Sequence, residues 1–189
     1  MHKQPEITDK TKQAFIDAFC LLYSQRPIDK ITVQEIARKA GYNRSTFYQY
    51  FLDIDDLLNY IEDEMLDYIC KKRGEAGSGN NSFVNDLVEL YKTKTLYINA
   101  LMGEFGSSRF IEKLKTQPKL NIPELNLPDG HPLKPYLVEF HLSLSLSLFK
   151  LWLRRGQDLP VAQFIGLIAD LYQGGLSSIE LTDTKRAEK

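Results

Sequence analysis

Apolar residues recur along most of this chain at the three- and four-residue spacing of an α-helix. Ala14, Phe15, Ala18, Phe19 and Leu22 fall on one stripe and predict a first helix from about Asp9 to Gln25, stopped by Pro27. Val33, Ile36, Ala37 and Ala40 predict a second, shorter one. Its start is explicit, because Thr32-Val33-Gln34-Glu35 has the pattern of a capping box, with Thr32 as N-cap and Glu35 reaching back. Gly41 stands where a backbone leaving a helix turns left-handed. Asn43 is placed to cap a third helix, Arg44 to Phe51. Asp53 can cap a fourth over 53–72, with Asp55 and Asp56 in the first turn, where the helix dipole favours carboxylates. Leu57, Leu58, Ile61, Met65, Leu66 and Ile69 give that helix a broad apolar face.

The pattern breaks at Gly74 to Ser82, a glycine- and asparagine-rich run that predicts a mobile loop. Helical spacing resumes from Phe83 to Phe105, with Leu87, Leu90, Tyr91, Lys94 and Ile98 on one side, and a short helix is predicted over Ser107–Thr116. Five prolines between Gln117 and Pro135 predict a largely irregular stretch. Leu133 to Arg154 contains a strict Leu-Ser alternation from Leu142 to Leu148, which on paper is a strand. Helix is the better reading, since no second strand exists to pair with it and the stretch is too long for one strand. Its serines can bond back to carbonyls one turn earlier. A last helix is predicted over Val161–Leu181. The fold class is therefore all-α: a small N-terminal helix-turn-helix domain over 1–52, and a helical bundle over 53–189 entered through the helix 53–72.

The composition is compatible with this and narrows the function. Of 189 residues 43% are apolar, enough for a sizeable core. The net charge of −1 is uninformative, but its distribution is not: residues 1–52 hold eight Lys and Arg against five Asp and Glu, so that end carries +3 and the rest −4. A basic end on a mildly acidic body suits one phosphate-facing surface. Two distant cysteines, Cys20 and Cys70, give neither a disulfide framework nor zinc spacing and read as reduced core residues. Met1 to Lys12 has no apolar segment of a signal peptide, and the most apolar run is too short to cross a bilayer, so a cytoplasmic location is expected. No catalytic constellation, phosphate loop or metal-ligand spacing is visible, and neither an enzyme nor a cofactor is expected.

The residues between Thr32 and Phe51 carry the chemistry. Two short helices joined by Ala40-Gly41-Tyr42 form a helix-turn-helix candidate. The second spares only Phe47 and Phe51 for packing and offers Arg44, Ser45, Thr46, Tyr48, Gln49 and Tyr50 to the outside, a set suited to phosphates and base edges. Ile31 to Phe51 followed by Asp53-Ile-Asp-Asp-Leu-Leu58 resembles the N-terminal domain of the TetR family of bacterial regulators, with matches at Thr32, Ile36, Ala37, Ala40, Gly41, Thr46, Tyr48, Phe51, Asp53 and Leu57. The resemblance covers about 45 residues in order and spacing. It departs at Tyr42 and Ser45, and at Leu52 and Ile54, where the family often has lysines.

The resemblance implies that Thr32 meets a phosphate and that Asn43, Arg44, Ser45 and Thr46 face the major groove or its edge. It implies that Tyr48 and Tyr50 contact phosphates or thymine methyls, with Gln49 beside them. It also implies a C-terminal dimerisation and ligand-binding body. Dimer contacts are expected at Leu144, Leu148, Leu167, Leu171, Gly174 and Gly175. An apolar or aromatic effector is expected near Tyr91, Met102, Phe105, Tyr136, Phe140, Phe149 and Trp152, residues that could equally be ordinary core. The function expected is a homodimeric DNA-binding transcription regulator, a repressor released from a pseudo-palindromic operator by a small molecule. A DNA-bound protein of the same fold that recruits a protein partner, through the proline-rich segment 117–135, is the alternative.

Overall fold

The computed structural model describes residues 5–75, 83–106, 108–117 and 130–177. Among them the chain is all-helical, with α1 (Pro5–Tyr23), α2 (Val33–Ala40), α3 (Arg44–Phe47), α4 (Ile54–Glu75), α5 (Phe83–Met102), α6 (Ser108–Lys115), α7 (Lys134–Arg154) and α8 (Val161–Ser177), plus a 3-10 turn at Ile28–Lys30. None of these helices is long and apolar enough to cross a membrane. Most of the loop expected at 74–82 and of the proline-rich stretch lies outside the described residues. Two of its prolines do not: Pro132 lies in a turn and Pro135 in the first turn of α7, where a missing N–H costs nothing.

The core begins on α1. Phe15, Ile16, Phe19, Cys20 and Tyr23 are buried, and they meet Ile36 and Ala37 of α2, Phe47 of α3, and Leu57, Leu58 and Ile61 of α4 in one continuous cluster. Cys20 is fully enclosed, and burial pushes its thiol far up and keeps it neutral, whereas Cys70 is only half-buried. The same cluster continues through α5 (Val88, Ile98, Leu101) into α7 and α8. Helix α1 thus serves two neighbours. Towards α5, Gln13 Nε2 donates to the Tyr97 hydroxyl (2.9 Å) and to Asp17 (2.8 Å). A cleft of about 390 Å³ opens beside this contact, lined by Gln13, Asp17 and residues 93–97.

Helix α5 is not regular. Lys94 has φ −130° and ψ 36°, which breaks the helix in its middle. Its ammonium lies 5.3 Å from the Tyr68 ring centre and 5.1 Å from that of Tyr97. The hydroxyls of Thr93 and Thr95 donate back to carbonyls of the preceding turn, to Glu89 O (3.0 Å) and Tyr91 O (2.6 Å). Such back-bonding is expected of the serines of α7, yet there Ser143 donates instead to the Glu139 carboxylate at 2.7 Å. Helix α7 is helical through the Leu-Ser alternation. Leu142, Ser145, Leu146, Phe149 and Trp152 are buried at intervals of three and four, which a strand could not bring to one face.

Helix α6 ties α4 to α7 through charge. Glu62 of α4 has no exposed surface, and its carboxylate receives Arg109 Nε (3.2 Å) and pairs with Lys113 Nζ (2.9 Å), which also reaches Asp63 (2.9 Å). Burial works against the Lys113 charge, but the hydrogen bonds to Glu62 and Asp63 outweigh it and raise its pKa. Lys115 of the same helix reaches Glu139 of α7 at 2.7 Å. A buried carboxylate stripped of both cations is an uncompensated charge, while the partly exposed cations can turn to water. Replacing Arg109 and Lys113 together with Ala is therefore expected to cost about 3–5 kcal/mol of stability. Glu62→Gln should cost only about 1 kcal/mol, because the amide oxygen still accepts. Urea midpoints measure both, and equal losses would contradict this account.

Candidate nucleic-acid interface

The interface is built from the caps inward. Thr32 begins α2 with a complete capping box: its hydroxyl accepts from Glu35 N (3.3 Å), and Glu35 Oε2 accepts from Thr32 N (3.1 Å). Arg26, in the turn before, donates to the other carboxylate oxygen at 2.8 Å. Gly41 ends α2 at φ 80° and ψ 21°. A Cβ there would meet nothing within 4 Å, so the backbone conformation and not space requires the glycine. Tyr42 lays its ring 5.4 Å from Phe15, and its hydroxyl accepts from Thr11 at 3.3 Å.

Asn43 caps α3, and its Oδ1 accepts from Thr46 N (2.8 Å), Thr46 Oγ1 (2.9 Å) and Ser45 Oγ (2.7 Å). One side chain thus orients two neighbouring hydroxyls. The helix is shorter than its periodicity suggests, since it ends at Phe47 and not at Phe51. The chain then tightens: Tyr50 N and Phe51 N both bond to Phe47 O, at 2.9 and 3.1 Å. The bend carries Phe51 into the core with its ring 5.6 Å from that of Phe47, so packing and not helix propensity sets the end. Phe47 is fully buried, edge-on to Phe15 at 5.4 Å.

Thr32, Asn43, Arg44, Ser45, Tyr48 and Gln49 are exposed, Thr46 is half-buried, and Tyr50 is half-buried with its ring 6.0 Å from Phe15. All lie on the α2–α3 unit and the turn after it, and Arg38 and Lys39 are exposed at the end of α2. Arg44 turns along its own helix to Tyr48, with Nη2 2.9 Å and Nε 3.2 Å from the phenol oxygen. The start of α4 differs in character. Leu52 is 80% exposed, its N–H donates to Asp56 Oδ2 (2.9 Å), and Asp56 N donates to Asp53 Oδ1 (2.8 Å). Those amides are already engaged by carboxylates and do not face outward for a phosphate. Two supports have no local sequence signal: Lys12, whose ammonium sits 3.5 Å from the Tyr60 ring centre, and Arg26 on Glu35. Their partners lie 48 and nine residues away, beyond any periodicity.

The residues expected around an effector do not form one group. Tyr91, Phe149 and Trp152 pack together with centroids 5.9–6.4 Å apart, Trp152 stacks on Phe164 at 4.9 Å, and its indole N–H donates to Leu159 O at 3.0 Å. Met102 is buried and Phe105 half-buried on and after α5. Tyr136 and Phe140 are exposed on α7, with Phe140 stacked on Tyr172 of α8. Of the residues expected at a dimer contact, Leu167 and Leu171 are 42% and 47% exposed. Gly174 is exposed too, while Leu144, Leu148 and Gly175 are half-buried.

Residues 15–61 match the family model for bacterial regulatory proteins, tetR family. Over 53 residues the chain is 40% identical to YwcC of Bacillus subtilis, described as an uncharacterized HTH-type transcriptional regulator; that covers 28% of this chain and 24% of the relative. Over 104 residues it is 35% identical to an uncharacterized HTH-type transcriptional regulator of Haemophilus influenzae, covering 51% of each. The chain thus spans between a quarter and about half the length of these curated relatives. A TetR transcriptional regulator from Streptococcus agalactiae shares the fold with TM-score 0.64 and 22% identity, over 89% of this chain and 99% of that one. The dihydroxyacetone kinase operon activator DhaS shares it with TM-score 0.52 and 14% identity, over 89% and 97%.

The cap on α2 yields a pH dependence. Hydrogen bonds from Arg26 and then from Thr32 hold the Glu35 carboxyl below its usual pKa. A depressed acid stabilises fully above its unfolded pKa, about 4.3, and loses that contribution as pH falls through the lower folded value. The melting temperature is expected to fall with acid less steeply for Glu35→Gln than for the parent chain below about pH 4. Parallel curves would place the acid-sensitive group elsewhere.

Proposed function

We propose that this chain, whose residues 15–61 match the family model for bacterial regulatory proteins, tetR family, is a sequence-specific transcription regulator that grips duplex DNA as a homodimer. Residues 1–52 are the reading head and 53–189 the body, with α4 joining them. The observation that supports this most is the division of labour on α3: Phe47 is fully buried while Arg44, Ser45 and Tyr48 stand outside. A four-residue helix anchored by one aromatic and polar on its outer side suits a groove better than a core. Thr32 and the exposed cations of α2 are assigned to phosphates, and Asn43, Arg44, Ser45 and Thr46 to the groove, with Tyr48, Gln49 and Tyr50 at its edge.

Exposed Leu167 and Leu171 on α8 support pairing of α7 and α8 with the same helices of a second copy, which makes the operator a pseudo-palindrome with half-sites about 34–36 Å apart or a multiple of that. Affinity is expected to fall steeply with salt, in proportion to the phosphates neutralised. Selection from randomised DNA, followed by titration at several salt concentrations, measures both properties. Sedimentation at micromolar concentration should give a dimer for the parent chain and a monomer for Leu171→Glu. A parent chain that selects no sequence, or sediments as a monomer, counts against the reading.

The regulator is proposed to be a repressor. An apolar or aromatic effector seated against the Tyr91, Phe149 and Trp152 cluster would bind more tightly to a dimer whose heads are wrongly spaced, and so shift the population off DNA. Binding beside Trp152 should change its fluorescence, raise the melting temperature and lower operator affinity together. An apolar library that changes none of the three argues for a regulator without such a ligand.

A further inference from the structure

Resting on the DNA-binding reading, we infer that Tyr48 is a positioning residue that pre-sets the guanidinium of Arg44 for a base edge, and that the two act as one specificity unit. Arg44 is the first residue of α3 and Tyr48 its C-cap, one turn apart on the same side. The guanidinium donates to the phenol oxygen through two atoms, Nε at 3.2 Å and Nη2 at 2.9 Å, and its carbon lies 5.3 Å from the ring centre. That engages the side edge of the planar group. The end edge, formed by Nη1 and the outer N–H of Nη2, is left over, and it carries the two parallel N–H bonds that match O6 and N7 of guanine.

The phenol can serve as an anchor because it is itself held. The Tyr48 ring stands edge-on to Phe47 with centroids 5.6 Å apart and planes at 89°, and Phe47 is locked against Phe15 in the core. The support therefore runs from the core through two rings to the guanidinium. Among the described residues the partner of Arg44 is this hydroxyl and not a carboxylate, so no acidic side chain competes with DNA for the guanidinium. An exposed arginine otherwise loses much of its rotamer freedom on binding, and a pre-set one loses less. Tyr48 would then contribute to sequence preference without touching a base.

The experiment uses the full chain and a binding-site library built around the sequence the parent protein selects. Tyr48→Phe keeps the ring and removes the anchor oxygen. It should erase preference at the same base pair as Arg44→Ala, lowering discrimination there by about three- to tenfold, against about ten- to hundredfold for Arg44→Ala. The salt slope and melting temperature of Tyr48→Phe should stay at parent values, because no cation is lost. The double variant should discriminate no worse than Arg44→Ala alone. Arg44→Lys tests the same geometry from the other side: it keeps the charge and the salt slope but should lose the preference, because an ammonium has no planar fork. The inference is overturned if Tyr48→Phe weakens all sequences evenly and additively with Arg44→Ala, which would make Tyr48 an independent phosphate contact. It is equally overturned if Tyr48→Phe changes nothing, or if Arg44→Lys keeps the preference. If the parent chain enriches no sequence, the DNA-binding reading itself fails, a result distinct from all of these.

Discussion

A helix of four residues cannot hold itself, because a single turn fixes several dihedrals for about one hydrogen bond. The placement of α3 therefore depends on the edge-on contact between Phe47 and Phe15. Everything on the outer side inherits its position from that contact: the Tyr48 ring stands on Phe47, the Tyr50 ring leans towards Phe15, and the cap at Asn43 sets the angle at which the chain enters. Phe15 can bear this load because α1 is long, continuous and buried along its apolar stripe. The left-handed turn at Gly41 fixes how closely α2 and α3 follow one another, and the Tyr42 ring closes the gap on the α1 side.

Beyond the shared apolar cluster, two polar contacts of different chemistry fix the helices around this arrangement. One is polar and lies between α1 and α5, where Gln13 bridges Asp17 and Tyr97 beside the break at Lys94. Burial pushes the Tyr97 phenol up to about 12, so it stays neutral and able to accept from Gln13 at any physiological pH. The other is ionic and lies between α4 and α6, where a wholly buried carboxylate meets two cations. Directional contacts of this kind specify one relative placement of the packed helices, where an apolar contact alone tolerates sliding.

The helices and their caps were legible because their causes are local. The reciprocal bonds of Thr32 and Glu35, the left-handed Gly41 and the Asn43 cap each need only three or four residues of context. The end of α3 was not legible, since the bend that buries Phe51 against Phe47 and Tyr60 is set by packing and not by helical periodicity. Nor was the break at Lys94, where rings from α4 and α5 flank the ammonium and Thr93 and Thr95 satisfy carbonyls of the preceding turn. The Leu-Ser alternation shows the converse: a period of two in the letters folded as a helix, because length and the lack of a pairing partner outweigh a local pattern. The polar character of the outer side of α3 could be listed from the sequence. The internal bonding of that surface, with Asn43 holding Ser45 and Thr46 and Tyr48 holding Arg44, is a property of the folded backbone.

The double role of α1 bears on how such chains can be recombined. One side of the helix supports α3, and the other presents Gln13 and Asp17 to α5. The N-terminal end is consequently not a cassette. A chimera that joins α1 to a foreign body would exchange the Gln13–Tyr97 bond for water, keep the one to Asp17, and uncover the flank that α5 shields unless the new body presents matching side chains. Point changes on the exposed side of α3 leave the shared helix untouched, whereas replacing the whole end does not.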